Sequence, residues 1–487
     1  MKKARPGSRD VANELETSEG SPLTIPTPYD DLIPVADEPS AQFYIDAMRI
    51  YLGLYEGTIS VEEALHAVEI LKENPEYAIT PTNPTRVPLN EEFKNKILSN
   101  LQTLRKFNLI TVDSVKSAYS FAFLTQDNLP QKNDLDLLRL LEVEPNLPLV
   151  NAAKEMGLTP RTIARSIERL QTRNVLRFAA LYDTTAFGVQ SYILFFTLAD
   201  GVEWSDVERG FAEYPFTKSI LKTTMTDLGY ASFMIPGPKS NFEVFEEHAR
   251  DVSNILFDYS CLHTQIGSGA DTNLSLFDGT NWRFPDELVK CINEEADWSG
   301  EKAIRVLLCQ GYQKGLSEDD FLILNNYRLD IRAPPREISA NLRMRGWNFD
   351  ARQVAQTIRK MNDKKAVLPF LIFDSVGLST NFCFEVVCTK PWRESILQSC
   401  PYLPSSTYFL SSQGIIIWAQ VPSNQQVEYY QLFRTLEDCS GIQSVHPIMT
   451  IKQHGSRSEL DLTKFWRYGS EGWMADSSML DLTTYMI

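Results

Sequence analysis

A row of arginines is the feature of this 487-residue sequence with the clearest chemistry. The arginines recur at every fourth position, at Arg161, Arg165, Arg169 and Arg173. On a helix predicted over 160–172 they share one face, and the opposite face is apolar, with Ile163, Ile167 and Leu170. The planar fork of arginine can grip phosphate or read guanine, and the hydroxyls of Thr162 and Ser166 can contact bases from the same helix. These are the residue types that DNA recognition requires.

The charge of this segment differs from that of the whole chain. The chain carries a net charge of −16, which argues against indiscriminate binding to nucleic acid. Residues 159–177 contain five arginines and one glutamate, so their local charge is 5 − 1 = +4. Because a basic stripe is often only a solvated helix face, the neighbouring elements decide its interpretation.

Those elements predict a helix-turn-helix. Leucines at helical spacing over 133–141 predict a first helix, and a second is predicted over 149–156. Gly157 can end the second helix in the left-handed conformation, Thr159 can cap the third, and Pro160 suits its first turn. In this motif the start of the third helix enters the major groove. Base contacts are therefore expected from Arg161, Thr162, Arg165 and Ser166, and phosphate contacts from Arg169 and Arg173.

The same pattern returns 191 residues later. This offset carries the cap Thr159 onto Asp350, Ile163 onto Val354, and Trp282 onto Trp473. A repeat with so long a period indicates duplicated domains. In the second copy the residues that match the DNA-facing positions are Arg352, Gln353, Gln356, Thr357 and Lys360. Trp347 in the turn and the apolar run 368–373 leave a packing role open for this copy.

Each helix-turn-helix precedes short strands and helices in the order βαββαβ, which is the ferredoxin-like pattern. The fold class is therefore α+β, in eight successive segments. They are a disordered tail (1–38), a winged-helix-like module (39–126), a first helix-turn-helix (131–190), a first ferredoxin-like domain (191–267), a linker with one helix near 302–312 (268–316), a second helix-turn-helix (317–378), a second ferredoxin-like domain (379–453) and a C-terminal extension (454–487).

The stretch from Leu158 through Leu170, with Val175-Leu176 and Asp183…Phe187-Gly188, resembles the Lrp/AsnC (leucine-responsive regulator) family of transcription regulators. The resemblance covers 131–266 in detail and 318–452 more weakly. It implies double-stranded DNA as a partner, α/β domains that sense a small-molecule effector or dimerise, and sheets that pair between copies. The chain would then be an intramolecular pseudo-dimer, or a homodimer. Asn174 and Lys365 stand where the family commonly has glycine.

Two other functions compete with DNA binding. Siroheme decarboxylases resemble the same architecture, but they would need basic and histidine residues around a tetrapyrrole, and the five histidines here are scattered. A scaffold of winged helices that binds proteins would suit the acidic charge. No P-loop, zincin or nucleophile-elbow motif is present, so we expect no enzymatic activity.

Cysteine spacing and hydropathy limit the remaining classes. The seven cysteines form no Cys-x-x-Cys pair, which argues against disulfides and structural zinc, and we expect neither a cofactor nor a metal site. No apolar run approaches the length of a membrane helix. These features favour a cytoplasmic protein without a membrane partner.

Overall fold

The structure is a computed structural model that describes residues 25–36, 39–73, 91–106, 108, 110, 115, 132–172, 176–222, 228–279, 281–293, 300, 302–373, 377–378, 380–448 and 452–486. The described residues fall into two compact units. The first contains those up to 126 and strand 452–456, and the second contains all the others. No helix in the described ranges is long and apolar enough to cross a membrane.

The first unit contains helices α1 (Pro39–Glu56), α2 (Val61–Glu73) and α3 (Glu91–Lys106). They pack around one apolar core, as the helices of the predicted winged-helix-like module would. Most of the module beyond Lys106 lies outside the described residues. Residues 25–36 correct the expectation of a disordered tail, because Ile25 and Ile33 are buried in the core and Asp30 pairs with Arg49 at 2.5 Å.

The second unit begins with the first helix-turn-helix. Its helices are α4 (Lys132–Val143), α5 (Leu149–Met156) and α6 (Pro160–Thr172). The second helix-turn-helix consists of α10 (Glu318–Tyr327), α11 (Pro335–Met344) and α12 (Ala351–Asp363). Ile163 and Val354, which the repeat equates, are both fully buried. Both predicted helix-turn-helix motifs are therefore present.

A two-stranded ribbon joins the copies. Strand β1 (Leu176–Tyr182) follows the first helix-turn-helix and pairs antiparallel with β7 (Val367–Phe373), which follows the second. In this register Ala179 lies opposite Phe370, its own counterpart at the offset 370 − 179 = 191. A strand position that pairs with its own copy marks a local two-fold axis, as in a symmetric dimer. The copies thus pair within one chain, and the apolar run 368–373 serves this pairing.

Each ferredoxin-like module shows the predicted βαββαβ order. The first contains β2 (Val189–Leu198), α7 (Trp204–Glu213), β3 (Thr217–Lys222), β4 (Leu228–Pro236), α8 (Lys239–Leu256) and β5 (Phe257–Thr272). The second contains β8 (Thr380–Cys388), α13 (Lys390–Ser399), β9 (Ser405–Ser411), β10 (Gly414–Val421), α14 (Gln426–Arg434) and β11 (Ile442–Ile448). Together with the helix-turn-helices they confirm the α+β class.

The two module sheets also join each other. The strand order is β11-β8-β10-β9-β5-β2-β4-β3, because the second half of β5 leaves its own module and pairs with β9. The sheets also face each other, and Ile193 and Phe195 of the first module share one core with Cys383 and Ile416 of the second. This apolar contact between sheets is a β-sandwich built from one chain.

The linker and the C-terminal extension each contain a short aromatic hairpin at equivalent positions of the repeat. Phe277 bridges Trp282 in one hairpin, and Tyr468 pairs with Trp473 in the other, between β13 (Arg467–Gly469) and β14 (Gly472–Met474). The linker helix is α9 (Asp286–Asn293), so its predicted position near 302–312 is wrong; that segment contains strand β6 (Val306–Leu308). The other short elements are β12 (Lys452–Ser456), α15 (Glu459–Leu462) and α16 (Thr483–Met486).

A buried ionic cluster attaches the C-terminal extension. The Glu459 carboxylate lies 2.9 Å from Arg328 and 3.7 Å from Lys218, and it accepts the Tyr182 hydroxyl at 2.8 Å. Burial alone would raise the pKa of Glu459, but the charges of Arg328 and Lys218 outweigh it and hold this pKa below the usual carboxyl range. One carboxylate therefore links three separate segments.

Glu459→Gln should destabilise the second unit by about 3 kcal/mol, because two cations lose their buried counter-charge. All eight tryptophans lie beyond residue 203, so urea unfolding followed by tryptophan fluorescence reports on this unit alone. Since the folded pKa is lowered, the Glu459 contribution is present above the ordinary carboxyl pKa and is lost as the pH falls through the lowered value. The difference in free energy of unfolding between wild type and Glu459→Gln should therefore disappear in acid. The exposed control Glu213→Gln should have the same free energy of unfolding as the wild type.

Candidate nucleic-acid interface

The turn before α6 has the predicted caps. Gly157 adopts the left-handed conformation, with φ of 64°, and its N–H bonds back to the carbonyls of α5. The N–H of Thr162 donates to the Thr159 hydroxyl at 3.2 Å, so Thr159 caps the helix that begins at Pro160. This local chemistry sets the direction in which the start of α6 points.

The N-terminal half of α6 presents its polar side chains to solvent. Arg161, Thr162 and Arg165 are exposed, and Ser166 is half-buried. Within the described part of the chain no carboxylate pairs with Arg161 or Arg165. Arg173 lies outside the described residues. The four residues from which base contacts are predicted therefore lie at one end of α6, and two of them offer guanidinium groups to a ligand.

Arg169 has a structural role that its place in the arginine row does not predict. Its guanidinium donates to the carboxylate of Asp134 on α4, which is 2% exposed, and to the Ser166 hydroxyl at 3.3 Å. A buried carboxylate needs such a partner because its desolvation is otherwise uncompensated. Arg169 therefore clamps α6 to α4, and its phosphate contact stays a prediction.

Helix α12 shows the same division. Arg352, Gln353 and Gln356 are exposed at its start, although the Gln353 side chain also accepts the Asp350 N–H at 2.8 Å in a capping box. Thr357 is buried and donates to Asp320 of α10 at 2.9 Å. Thr357 is therefore removed from the predicted DNA contacts, since its hydroxyl cannot reach a ligand.

Lys360 completes this correspondence. Its ammonium lies 2.5 Å from Asp320 and donates to the Gly315 carbonyl at 3.0 Å. The repeat equates Lys360 with Arg169, and both copies place this basic residue against a buried aspartate of the first helix. Lys360 therefore has a structural role, and its DNA contact stays a prediction.

The two helix-turn-helices hold each other in place. Arg332, after α10, donates to the carbonyls of Pro145 and Leu147 in the first copy at 3.0 and 2.8 Å. Arg305 donates to the Glu142 carbonyl at 2.8 Å and also to the Pro369 carbonyl of β7. The third helices enter the β1–β7 ribbon at opposite ends, about 20 Å apart for seven-residue strands. Their separation is therefore set by packing and not by a flexible linker.

The turns of the two motifs differ in length. Three residues separate α5 from α6, whereas six separate α11 from α12 and include Gly346, with φ of 88°, and the half-buried Trp347. Lys365, which stands where the resembled family commonly has glycine, adopts φ of 52°, so the glycine-like backbone is kept without glycine. The second copy retains the motif with a longer turn.

One group of polar residues is missed by sequence reasoning. Tyr259, Cys261 and His263 alternate on β5 and meet Glu385 and His446 inside the sandwich. The alternation along a strand is visible in the sequence, but the meeting with β8 and β11 is not. The histidines are thus less scattered than their positions suggest.

Comparison with known proteins assigns no family. No protein-family model matches the chain, and no curated protein matches it. The solved structure of the siroheme decarboxylase NirDL has a TM-score of 0.36 at 11% identity, over 72% of this chain and 98% of that one. NirDL in complex with an iron-uroporphyrin III analogue has a TM-score of 0.35 at 12% identity, over 72% of this chain and 97% of that one. The Neisseria meningitidis transcriptional regulator NMB0573, in complex with L-Met, has a TM-score of 0.21 at 19% identity, over 28% of this chain and 88% of that one. Similarities at this level support no statement about function.

Arg169→Ala should loosen the first helix-turn-helix by about 1–3 kcal/mol, the typical cost of leaving a buried polar partner unsatisfied. Hydrogen exchange of the backbone amides in α4 and α6 measures this directly, and protection should fall in both helices. Arg165→Ala on the same helix is the matched control and should leave protection unchanged. Equal effects of the two substitutions would contradict the assigned clamp.

Proposed function

We propose that this protein is a sequence-specific DNA-binding transcription regulator that reads the major groove with α6. One observation carries the proposal: Arg161 and Arg165 are exposed and unpaired within the described residues, on the first turns of the third helix of a helix-turn-helix. Arginine donates two parallel bonds to guanine O6 and N7, and Thr162 and Ser166 add shorter donors and acceptors. The same helix end enters the groove in known motifs of this kind.

The second copy enlarges this site asymmetrically. Arg352 and Gln356 are exposed at the start of α12, and glutamine suits adenine where arginine suits guanine. Because the copies are locked together through β1 and β7, both helices approach DNA as one body. The preferred target is therefore two unlike half-sites about one helical turn apart. The ferredoxin-like modules would pair the copies and offer surface for a small-molecule effector.

Selection of bound sequences from random DNA by the full chain supplies the operator for a direct test. Arg165→Ala should weaken operator binding by about 5–150-fold, equivalent to the 1–3 kcal/mol of a lost bidentate base contact. Binding to unrelated DNA should fall only a few-fold, because there the residue meets phosphate. Fluorescence anisotropy at fixed salt measures both affinities, and Arg352→Ala in the same assay reports on the second copy.

The exposed Arg250 on α8 provides a control of the same chemistry away from α6. Arg250→Ala should leave both affinities unchanged. Equal losses on operator and unrelated DNA for Arg165→Ala would show that α6 does not read bases. If no sequence is enriched and binding does not weaken with salt, the proposal of DNA binding itself is refuted, because phosphate contacts release counterions.

The proposal excludes a catalytic role on siroheme, and this is tested separately. Adding siroheme to the full chain should leave the absorbance spectrum of the tetrapyrrole unchanged, since a regulator of this type needs no iron ligand. A shifted spectrum that saturates at one equivalent would favour the enzyme alternative. Free histidine at the same concentration controls for nonspecific ligation.

A further inference from the structure

A polar cluster interrupts the apolar interior of the sandwich between the two modules. It consists of Tyr259, Cys261 and His263 of β5, Glu385 of β8 and His446 of β11. The three β5 residues alternate along the strand, so their side chains face the same side. We call these five residues the sandwich cluster. The proposed DNA contacts lie on other elements, so any role of the sandwich cluster is independent of DNA binding.

The sandwich cluster brings unlike donor atoms close together. His263 Nε2 lies 2.7 Å from Glu385 Oε1, and His446 Nδ1 lies 2.8 Å from Glu385 Oε2. The Cys261 sulfur, a ring nitrogen of His263 and a carboxylate oxygen of Glu385 all lie within 4.8 Å of one another. Nitrogen, oxygen and sulfur donors thus surround one point.

The Glu385 carboxylate lies at the centre of the sandwich cluster and is fully buried. On paired strands it lies opposite His446 of β11. From the other module it accepts the Tyr259 hydroxyl at 2.9 Å and meets His263 of β5. Because a buried charge requires such partners, one carboxylate gathers side chains from both copies beside the Cys261 thiol.

The surroundings orient the donors and leave an entry path. His263 Nδ1 lies 2.7 Å from the Ser411 hydroxyl, which holds the ring with Nε2 towards Glu385. A hydrogen-bond partner on the other ring nitrogen is the usual support of a metal-ligating histidine. His263 is fully buried, whereas Cys261 and Tyr259 are half-buried and the His446 side chain is 27% exposed. An ion can therefore approach from the side of Cys261 and His446.

We propose that Cys261, His263 and Glu385 bind one divalent transition-metal ion of the zinc class. A thiolate and a carboxylate neutralise the two charges of the ion, and a mixed sulfur, nitrogen and oxygen set suits zinc or cobalt and not magnesium or calcium. Bonds of about 2.0 Å in a tetrahedron put nitrogen and oxygen ligands about 3.3 Å apart, so the His263 nitrogen and the Glu385 oxygen, which are 2.7 Å apart, must separate by about half an ångström. The ion would link β5 to β8.

This assignment revises the expectation of no metal site. That expectation rests on the missing Cys-x-x-Cys spacing, which detects ligands that are close in sequence. Here the ligands come from two strands, β5 of one copy and β8 of the other. Bound metal would therefore stabilise the pairing of the two modules, since the ion has ligands on each side of the sandwich.

Cobalt(II) titration of the full chain, reduced and stripped with a chelator, tests the proposal. One equivalent should produce the near-ultraviolet charge-transfer band of a cobalt–thiolate bond, and added zinc should bleach it. Cys261→Ser should abolish the band. Glu385→Gln and His263→Ala should weaken cobalt binding at least tenfold, whereas the control Cys309→Ser, which removes a half-buried thiol outside the sandwich cluster, should keep full binding.

Alkylation of the wild-type chain gives a second readout that needs no variant to fold. Zinc should slow the reaction of iodoacetamide with Cys261 at least tenfold, measured peptide by peptide, and should leave Cys309 and Cys439 unaffected. Absence of a charge-transfer band in the wild type, or its persistence in Cys261→Ser, would overturn the site. So would unchanged alkylation of Cys261 in zinc, which would leave the sandwich cluster as a metal-free hydrogen-bond network.

Discussion

The antiparallel pairing of β1 with β7 is the constraint on which the second unit depends. Ala179 and Phe370 face each other on the local two-fold axis, so the duplicated halves meet as the subunits of a dimer do. Each strand follows a third helix, α6 or α12, and the ribbon therefore sets the separation of these two helices. Fusion in one chain makes this pairing intramolecular, so it does not depend on protein concentration.

The two copies show the same arrangement along the third helix, with exposed polar residues at its start and a structural ion pair in its third turn. In both copies a basic residue in the third turn, Arg169 or Lys360, neutralises a buried aspartate of the first helix. This ion pair holds the third helix against the first helix of its own motif, and the start of the third helix stays exposed to solvent. Basic residues on one helix face thus differ in role, and a buried acidic partner identifies those that support the fold.

The two copies are not identical. The second helix-turn-helix has a turn of six residues, where the first has three. A pseudo-dimer can vary one copy alone, which a homodimer cannot do, because each substitution in a homodimer appears twice. The different residues at the starts of α6 and α12 show this freedom.

The sequence alone determined the elements whose signals are local: Gly157, Thr159 and Pro160 end and begin helices, and periodicity over 191–266 places the βαββαβ strands and helices. It also determined the duplication, since the offset of 191 residues recurs. Only the tertiary structure decided which polar residues form ion pairs and hydrogen bonds inside the fold. Asp134 and Arg169 lie 35 positions apart, and His263 and Glu385 lie 122 apart. Such pairs form because burial requires charge compensation across elements, and no sequence period reports which distant elements will meet.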